Sequence, residues 1–207
     1  MPRINKVIKI FISSDVFFNA GWGLLAPVFA IFILENIRGG SPKTAGFAAM
    51  IYWLTKSCLE IPIGRYLDKN HGEKDDFYFM VLGIALTGIV PFGYLISSQA
   101  WHIYLCQFIY GLGMAMAIPP WYAVFTRHID KGREAFEWGF ESTALGFSAG
   151  AAGAVGGFLA EIIGFKFVFV FVGGFTFLAA ILLCFIRKEL ILKDKITSHI
   201  ALLRPFF

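Results

Sequence analysis

The chain has 207 residues, 57% of them hydrophobic, and its mean hydropathy is +0.69. Soluble domains are about 45–50% apolar, so this composition lies outside their range and is typical of a membrane protein. The formal net charge is +4, but the basic residues are scattered over short segments and form no nucleic-acid motif, which excludes a nucleic-acid-binding protein.

Six apolar stretches are each long enough to cross a bilayer. A hydrocarbon core of roughly 30 Å needs about 20 helical residues, and a backbone in lipid must satisfy its own hydrogen bonds. The sequence therefore predicts an all-α membrane protein with six transmembrane helices joined by very short loops. The predicted spans are residues 7–33, 44–66, 77–97, 102–125, 135–163 and 165–186.

The distribution of basic residues predicts the orientation. Fourteen Lys and Arg residues lie in the N-terminal segment, the loops after the second and fourth spans and the C-terminal tail, against three in the alternate loops. Both termini are therefore expected in the cytoplasm of an integral cell-membrane protein. Residues 1–186 form the predicted transmembrane domain. The basic tail, 187–207, suits either an amphipathic interfacial helix or a frayed terminus.

The first span contains a polar group that needs an explanation. Asp15 and Asn19 are four residues apart and share a helix face with Trp22. An ionisable side chain within a bilayer costs about 3 kcal/mol on insertion scales. A substrate or proton site is one interpretation. A polar cluster near the cytoplasmic surface, paired with another helix or with the basic N-terminal segment, is the other.

Two further charge pairs have the same spacing. Lys56 and Glu60 in the second span favour an intrahelical ion pair, with a gate that breaks and re-forms as the alternative. Glu137 and Glu141 begin the fifth span, where the helix dipole favours acidic residues and the preceding loop is basic. We interpret these two glutamates as structural, with a contact to the loop after the second span as the alternative.

The fifth span carries a stripe of glycines. Gly146, Gly150, Gly153 and Gly157 lie on one helix face and predict close packing within the bundle or across a dimer seam. Ser148 falls within a Gly-x-Ser-x-Gly pattern, but a nucleophilic serine needs a strained turn and a nearby histidine rather than an apolar helix. No enzyme is predicted. The three cysteines lack metal-ligand spacing, and neither a metal nor a cofactor is expected.

The segment after the second span reads Gly64-Arg-Tyr-Leu-Asp68-Lys69-Asn-His-Gly72-Glu-Lys74. It has a glycine, three residues, an aspartate and a basic residue, followed by a glycine and a basic residue. This pattern resembles the loop signature of the major facilitator superfamily. Here the second glycine stands one position late, and Glu73 replaces a usual basic residue.

Further positions resemble the same family in order along the chain. They include Gly111 and Gly113 of the fourth span, although Gln107 stands where the family usually has an arginine. The other segments are Gly23-Leu-Leu-Ala-Pro27, Ser148-Ala-Gly-Ala-Ala-Gly153-Ala-Val-Gly156-Gly157 and Gly164-Phe-Lys-Phe-Val-Phe169. Pro27 in the first span and Pro119 and Pro120 in the fourth are read as corresponding breaks, as in two inverted three-helix repeats.

The resemblance implies a secondary transporter that moves a small solute by alternating access. The cavity would be lined by Asp15, Asn19, Trp22 and Gln107, and the segment around Asp68 would form a cytoplasmic gate. Members of the family usually have two six-helix halves in parallel, so a parallel homodimer is predicted. A separately encoded second half and a truncated reading frame are the alternatives. An accessory subunit that keeps the fold without transport is the alternative function, and Gln107 slightly favours it.

Overall fold

The computed structural model describes residues 4–70 and 72–190, and these residues form an all-helical bundle. Seven helices occur in the described part of the chain. They are α1 (Lys6–Leu25), α2 (Phe29–Asn36), α3 (Pro42–Asn70), α4 (Glu73–Leu95), α5 (Ala100–His128), α6 (Glu134–Ile162) and α7 (Phe165–Cys184).

The prolines act differently in the two halves of the bundle. The predicted first span is divided into α1 and α2 by a turn around Pro27, which has no backbone N–H to continue the helix. The break predicted at Pro119 and Pro120 is wrong, because α5 continues through both residues to His128. Neighbouring helices commonly allow proline inside a membrane helix, and α3 and α4 also contain one each.

The long helices pack in the order α3–α5–α4–α7–α1–α6. Each of α3 and α6 has one extensive neighbour, so these two helices lie at the outside of the bundle. Buried apolar side chains form two clusters, one toward each end of the bundle. The end at which α1 begins and α7 ends is called the basic end below.

Five helices in the described residues are long and apolar enough to cross a membrane. They are α1, α4, α5, α6 and α7, the last extended to Leu190. The 29-residue α3 is also long enough, but Lys56 and Glu60 lower its hydropathy. Its crossing, and with it the sixth span, stays a prediction. The interfacial helix predicted for the tail falls mostly on residues 191–207, outside the described residues.

Glycine allows α1 and α6 to approach each other closely, but at different positions from the predicted stripe. A Cβ on Gly23 would lie 2.9 Å from the Ala149 carbonyl, and one on Gly156 would overlap the Leu24 backbone. In contrast, Gly146, Gly150 and Gly157 have no described atom within 4 Å of a Cβ position, and Gly153 has only the Gly23 carbonyl at 3.8 Å. The stripe therefore faces outward, and its role across a seam stays a prediction.

The end of the bundle opposite the basic end is joined through the backbone. The Arg38 amide, just after α2, donates a hydrogen bond of 2.9 Å to the Ser98 carbonyl, between α4 and α5. Arg38 and Gln99 form an isolated parallel bridge at the same point. The two connections on this side are thus held together by groups that carry no charge.

Candidate functional site

The basic end is closed by ion pairs between α4 and α5. Arg127 pairs with Asp76, and its Nε lies 3.3 Å from Glu73 Oε1. The side chains of Asp76 and Glu73 are 4% and 9% exposed, so the arginine compensates carboxylates that are almost removed from solvent. His128 Nε2 lies 3.6 Å from Glu73 Oε2 and adds to this pairing when the imidazole is protonated.

Asn5 connects the start of α1 to the same region. Its Oδ1 accepts a 2.9 Å hydrogen bond from the Ile8 amide and caps α1. Its Nδ2 donates to the His128 carbonyl at 2.6 Å and to Asp130 Oδ1 at 3.2 Å. The side chain of one asparagine therefore fixes the first turn of α1 against the end of α5.

The predicted gating loop is mostly helical. Gly64, Asp68 and Lys69 lie in the last turns of α3, while Gly72 directly precedes α4 and Lys74 lies in its first turn. α3 continues to Asn70, because no glycine or proline interrupts it after Gly64, and α4 begins at Glu73.

Asp68 is close enough to Asp76 to interact with it electrostatically. The predicted segment therefore adjoins the Arg127 ion pairs. Glu73, which replaces a residue that is usually basic in the resembled family, faces the basic side chain of Arg127. The acidic residue at this position therefore makes an ion pair with Arg127 that a basic residue could not make.

A cavity of about 170 Å³ lies between α1, α4, α5 and α6, in the half of the bundle nearer the basic end. Two carboxylates, Asp15 of α1 and Glu141 of α6, belong to its wall. We call it the acidic cavity. Its lining residues are Asp15, Phe18, Asn19, Ile84, Met114, Ala117, Ile118, Trp121, Tyr122, Glu141 and Leu145.

Asp15 and Glu141 are both buried, at 7% and 8% exposure, and interact electrostatically across the cavity. The Trp121 side chain lies within hydrogen-bonding reach of the Asp15 carboxylate. The Asn19 Nδ2 donates to the Asp15 carbonyl at 2.9 Å, so this amide binds the helix backbone rather than the carboxylate. The cavity thus presents acidic groups on an otherwise apolar and aromatic wall.

Glu137 and Glu141 differ in their surroundings although they share a helix. Glu137 is fully buried, and its Oε2 accepts a 3.3 Å hydrogen bond from the Asp130 amide, which joins it to the loop before α6. Glu141 is one turn further along and belongs to the acidic cavity. The structure therefore brings Glu141 to the site, whereas the sequence grouped both glutamates as structural.

Trp22 and Gln107 line a different cavity, of about 240 Å³, between α1, α2, α4 and α5. It lies toward the other end of the bundle, and we call it the aromatic cavity. The four predicted substrate-site residues are thus divided between two cavities, two in each. The lining residues are Trp22, Leu25, Ala26, Phe29, Tyr94, Gln107 and Tyr110.

Lys56 and Glu60 form a salt bridge of 2.7 Å on α3, with both side chains largely buried. Lys56 Nζ also lies 5.4 Å from the centre of the Trp53 ring. The pair places two opposite charges of the middle of α3 in contact within the helix itself. It borders neither the acidic nor the aromatic cavity.

Tyr94, Tyr110 and Glu141 are site residues that the sequence interpretation missed. Tyr110 follows Gln107 by three residues and so shares its helix face in the fourth span. Tyr94 lies in the third span, where no sequence pattern singled it out. For Glu141 the sequence offered only its four-residue spacing from Glu137, which does not distinguish a structural position from a cavity position.

The model of the Major Facilitator Superfamily matches residues 12–203 of this chain. The chain is 29% identical over 174 residues to the "Multi-drug resistance efflux pump PmrA" of Streptococcus pneumoniae serotype 4, covering 83% of this chain and 42% of that protein. It is 25% identical over 182 residues to the "Uncharacterized MFS-type transporter MJ1560" of Methanocaldococcus jannaschii, covering 88% and 46%. The chain spans less than half the length of these curated relatives.

Proposed function

Because the chain belongs to the Major Facilitator Superfamily, we propose that it supplies one six-helix half of a secondary transporter that works by alternating access. The acidic cavity is the observation that supports this proposal. Asp15 and Glu141 are buried in the wall of one cavity, in helices apolar enough to cross a bilayer. Each such charge costs about 3 kcal/mol on insertion scales, so a pair of them indicates a functional site.

The chemistry of the cavity favours an organic cation with an aromatic body. The two carboxylates provide the complementary charge, and the rings of Phe18, Trp121 and Tyr122 line the same space. A cation near aromatic faces gains about 0.5–2 kcal/mol from the ring quadrupoles. The printed name of the pneumococcal relative, a multi-drug resistance efflux pump, supports export of compounds of this kind.

Proton exchange fits the same pair of acids. Two buried carboxylates that interact electrostatically favour retaining one proton between them. A cation that enters the cavity compensates the negative charge of the carboxylates in place of that proton. Binding of the cation therefore releases the proton. In this way, an inward proton gradient would drive movement of the cation in the opposite direction.

The packing order supports two inverted three-helix repeats within the half. Exchange of the first, second and third spans with the fourth, fifth and sixth turns the α4–α5 contact into the α7–α1 contact. The same exchange turns α3–α5 into α6–α1 and returns α4–α7 to itself. Rocking about such a symmetric centre would open the two ends in turn, with the Arg127 ion pairs and the adjacent Asp68 as the gate at the basic end.

A second six-helix bundle would complete the transport pathway, and a parallel copy of this chain is the simplest source. The outer helices α3 and α6 expose large apolar side chains, including Trp53 and Phe147, and α6 also presents the outward glycine stripe. In such a parallel dimer the acidic cavities of the two copies face each other. The distribution of basic residues favours a position of both termini on the cytoplasmic side of the cell membrane.

Transport is tested with ethidium, an aromatic organic cation, in proteoliposomes with an imposed pH gradient. We expect gradient-driven movement of the dye that is lost in Asp15→Asn and Glu141→Gln, because each change removes one charge from the cavity. Glu161→Gln, at the exposed end of the same α6, is the matched control and should be active. Equal rates of dye movement in liposomes with and without the protein would contradict the proposed transport function.

The coupling step has its own measurement. Asp15→Asn keeps the shape and hydrogen bonding of the side chain but cannot exchange a proton. Exchange of labelled for unlabelled ethidium at equal pH should therefore persist more than gradient-driven movement does. An Asn variant with unchanged pH dependence would show that Asp15 does not couple protons.

Assembly is tested by cysteine crosslinking in native membranes, in a background without the three native cysteines. A cysteine at Gly150, on the outward stripe of α6, should crosslink between copies, whereas one at the exposed Ile181 of α7 should not. Absence of crosslinks together with a monomeric mass in mild detergent would overturn the homodimer. A crosslinked dimer that moves no solute would favour the accessory subunit instead.

A further inference from the structure

Another cavity, of about 440 Å³, opens at the end of the bundle opposite the basic end. It lies where α2 and α4 end and α7 begins, and it is larger than the acidic and aromatic cavities. We call it the end cavity. Its volume falls within the roughly 300–1,000 Å³ of ligand pockets, and its place at the helix ends puts it at the membrane–water interface.

Packed aromatic rings form the inner wall of the end cavity. Phe32 of α2 meets Phe169 of α7 edge-on, with ring centroids 4.7 Å apart and 80° between the planes. Phe165 lies 5.5 Å from Phe32, and Tyr94 of α4 lies 5.4 Å from Phe169, measured between ring centroids. Phe32 and Phe169 are 4% and 1% exposed. The wall is therefore held in place by packing between three helices.

Lys166 gives the end cavity a positive charge. It is the one basic residue among the described residues that line the cavity, and no described carboxylate lines it. Within residues 4–70 and 72–190, Lys166 also takes part in no ion pair. The ammonium charge is therefore available to an anion.

Asn36 and Ser97 add hydrogen-bond acceptors to the same cavity. Asn36 Nδ2 donates to the Phe32 carbonyl at 3.4 Å, and Ser97 Oγ donates to the Gly93 carbonyl at 2.8 Å. Each side chain thus uses a donor on the backbone and retains an oxygen that can accept a hydrogen bond. An anion that also carries hydroxyl groups fits this set of partners.

Exposed apolar side chains continue from the end cavity along α7. Phe167 lines the cavity and is 55% exposed. Val170 and Phe171, three and four residues further on the same helix face, are 48% and 44% exposed. This surface leads from the interface toward the middle of the membrane. A soluble anion leaves it uncovered, whereas an acyl chain attached to the anion covers it.

We propose that the end cavity binds an anionic phospholipid with a hydroxylated headgroup, of which phosphatidylglycerol is the simplest, from the leaflet at that end. The phosphate pairs with Lys166, whose apolar stem lies along the wall while its ammonium group reaches the headgroup. The glycerol hydroxyls donate to Asn36 Oδ1 and Ser97 Oγ. An acyl chain lies along Phe167 and Phe171. The end cavity shares no lining residue with the acidic cavity, so lipid binding is independent of whether ethidium moves.

Native mass spectrometry of the full chain, released from detergent with added lipid, measures binding of each lipid. One phosphatidylglycerol should bind at a concentration about tenfold lower than phosphatidylcholine with the same acyl chains, because only the former is an anion with free hydroxyls. Lys166→Gln should remove this preference. Lys43→Gln removes an exposed cation at the same end, outside the cavity, and should keep it. No preference in the wild type, or the same result in both variants, would overturn the proposal.

Two matched ligands keep the test independent of any variant's folding. Phosphatidylmethanol has the same charge without the glycerol hydroxyls, and should bind the wild type about fivefold more weakly than phosphatidylglycerol. Equal binding of these two lipids would overturn the hydroxylated headgroup. Glycerophosphoglycerol is the same headgroup without acyl chains, and should not displace the lipid at tenfold excess. Displacement would assign the cavity to a soluble phosphate and overturn the lipid.

Discussion

At the scale of single residues, the environment of a carboxylate decides its role more than its place in the sequence does. Glu137 and Glu141 have the same spacing as an ordinary helix pair, yet Glu137 accepts a hydrogen bond from the loop backbone while Glu141 belongs to the acidic cavity. The two residues therefore provide a matched comparison on one helix.

We expect Glu141→Gln to reduce ethidium transport at least tenfold, because it removes one of two cavity charges. Glu137→Gln keeps an oxygen that can accept from Asp130 and should stay within about twofold of the wild-type rate. Initial rates in proteoliposomes, normalised to the amount of inserted protein, measure both. Equal loss in the two variants would mean that position on α6, not the cavity, determines the effect.

At the scale of helices, Gly156 is one of two glycines that allow α1 and α6 to approach closely. Gly156→Ala places a methyl group against the Leu24 backbone and should destabilise the bundle by about 1–3 kcal/mol, as overpacking does. Gly157→Ala adds the same methyl group where no described atom lies within 4 Å, and should stay within about 0.5 kcal/mol. Thermal unfolding in detergent compares the two neighbours. Indistinguishable midpoints would contradict the close contact.

The α4–α5 ion pairs give a second prediction at this scale. Arg127→Gln leaves the buried carboxylates of Asp76 and Glu73 without their arginine, and loss of one partner of a buried pair is strongly destabilising. We expect a thermal midpoint several degrees lower, partly restored by adding Asp76→Asn. Lys131→Gln, an exposed change in the adjacent loop, is the control. A double variant no more stable than Arg127→Gln alone would exclude the compensation.

The helical class and the family could be read from the sequence because apolar length and small-residue motifs are local signals. A break was expected at both Pro27 and Pro119, and the structure has it only at Pro27. A proline is accommodated within a helix when neighbouring helices support the backbone. The sequence indicated two polar residues of the acidic cavity, Asp15 and Asn19. Glu141 became part of it only through the packing of α6 on α1, which no local pattern specifies.

The orientation of the whole molecule is open to a direct test. Cysteines introduced at Ser98 and Lys131, in a background without native cysteines, lie in connections at opposite ends of the bundle. A membrane-impermeant maleimide applied to intact cells should label Ser98→Cys, and should label Lys131→Cys only after permeabilisation. Labelling of both cysteines from outside the cell would contradict the expected orientation with cytoplasmic termini.

The two ends of the bundle are joined by different interactions, and this gives the molecule a one-sided sensitivity to acid. The basic end is held largely by ion pairs, whereas the Arg38–Ser98 connection is an amide–carbonyl hydrogen bond. Protonation of the Asp76 carboxylate removes the charge that pairs with Arg127, but neither the Arg38 amide nor the Ser98 carbonyl titrates. Acidification therefore favours opening of the bundle at the basic end alone.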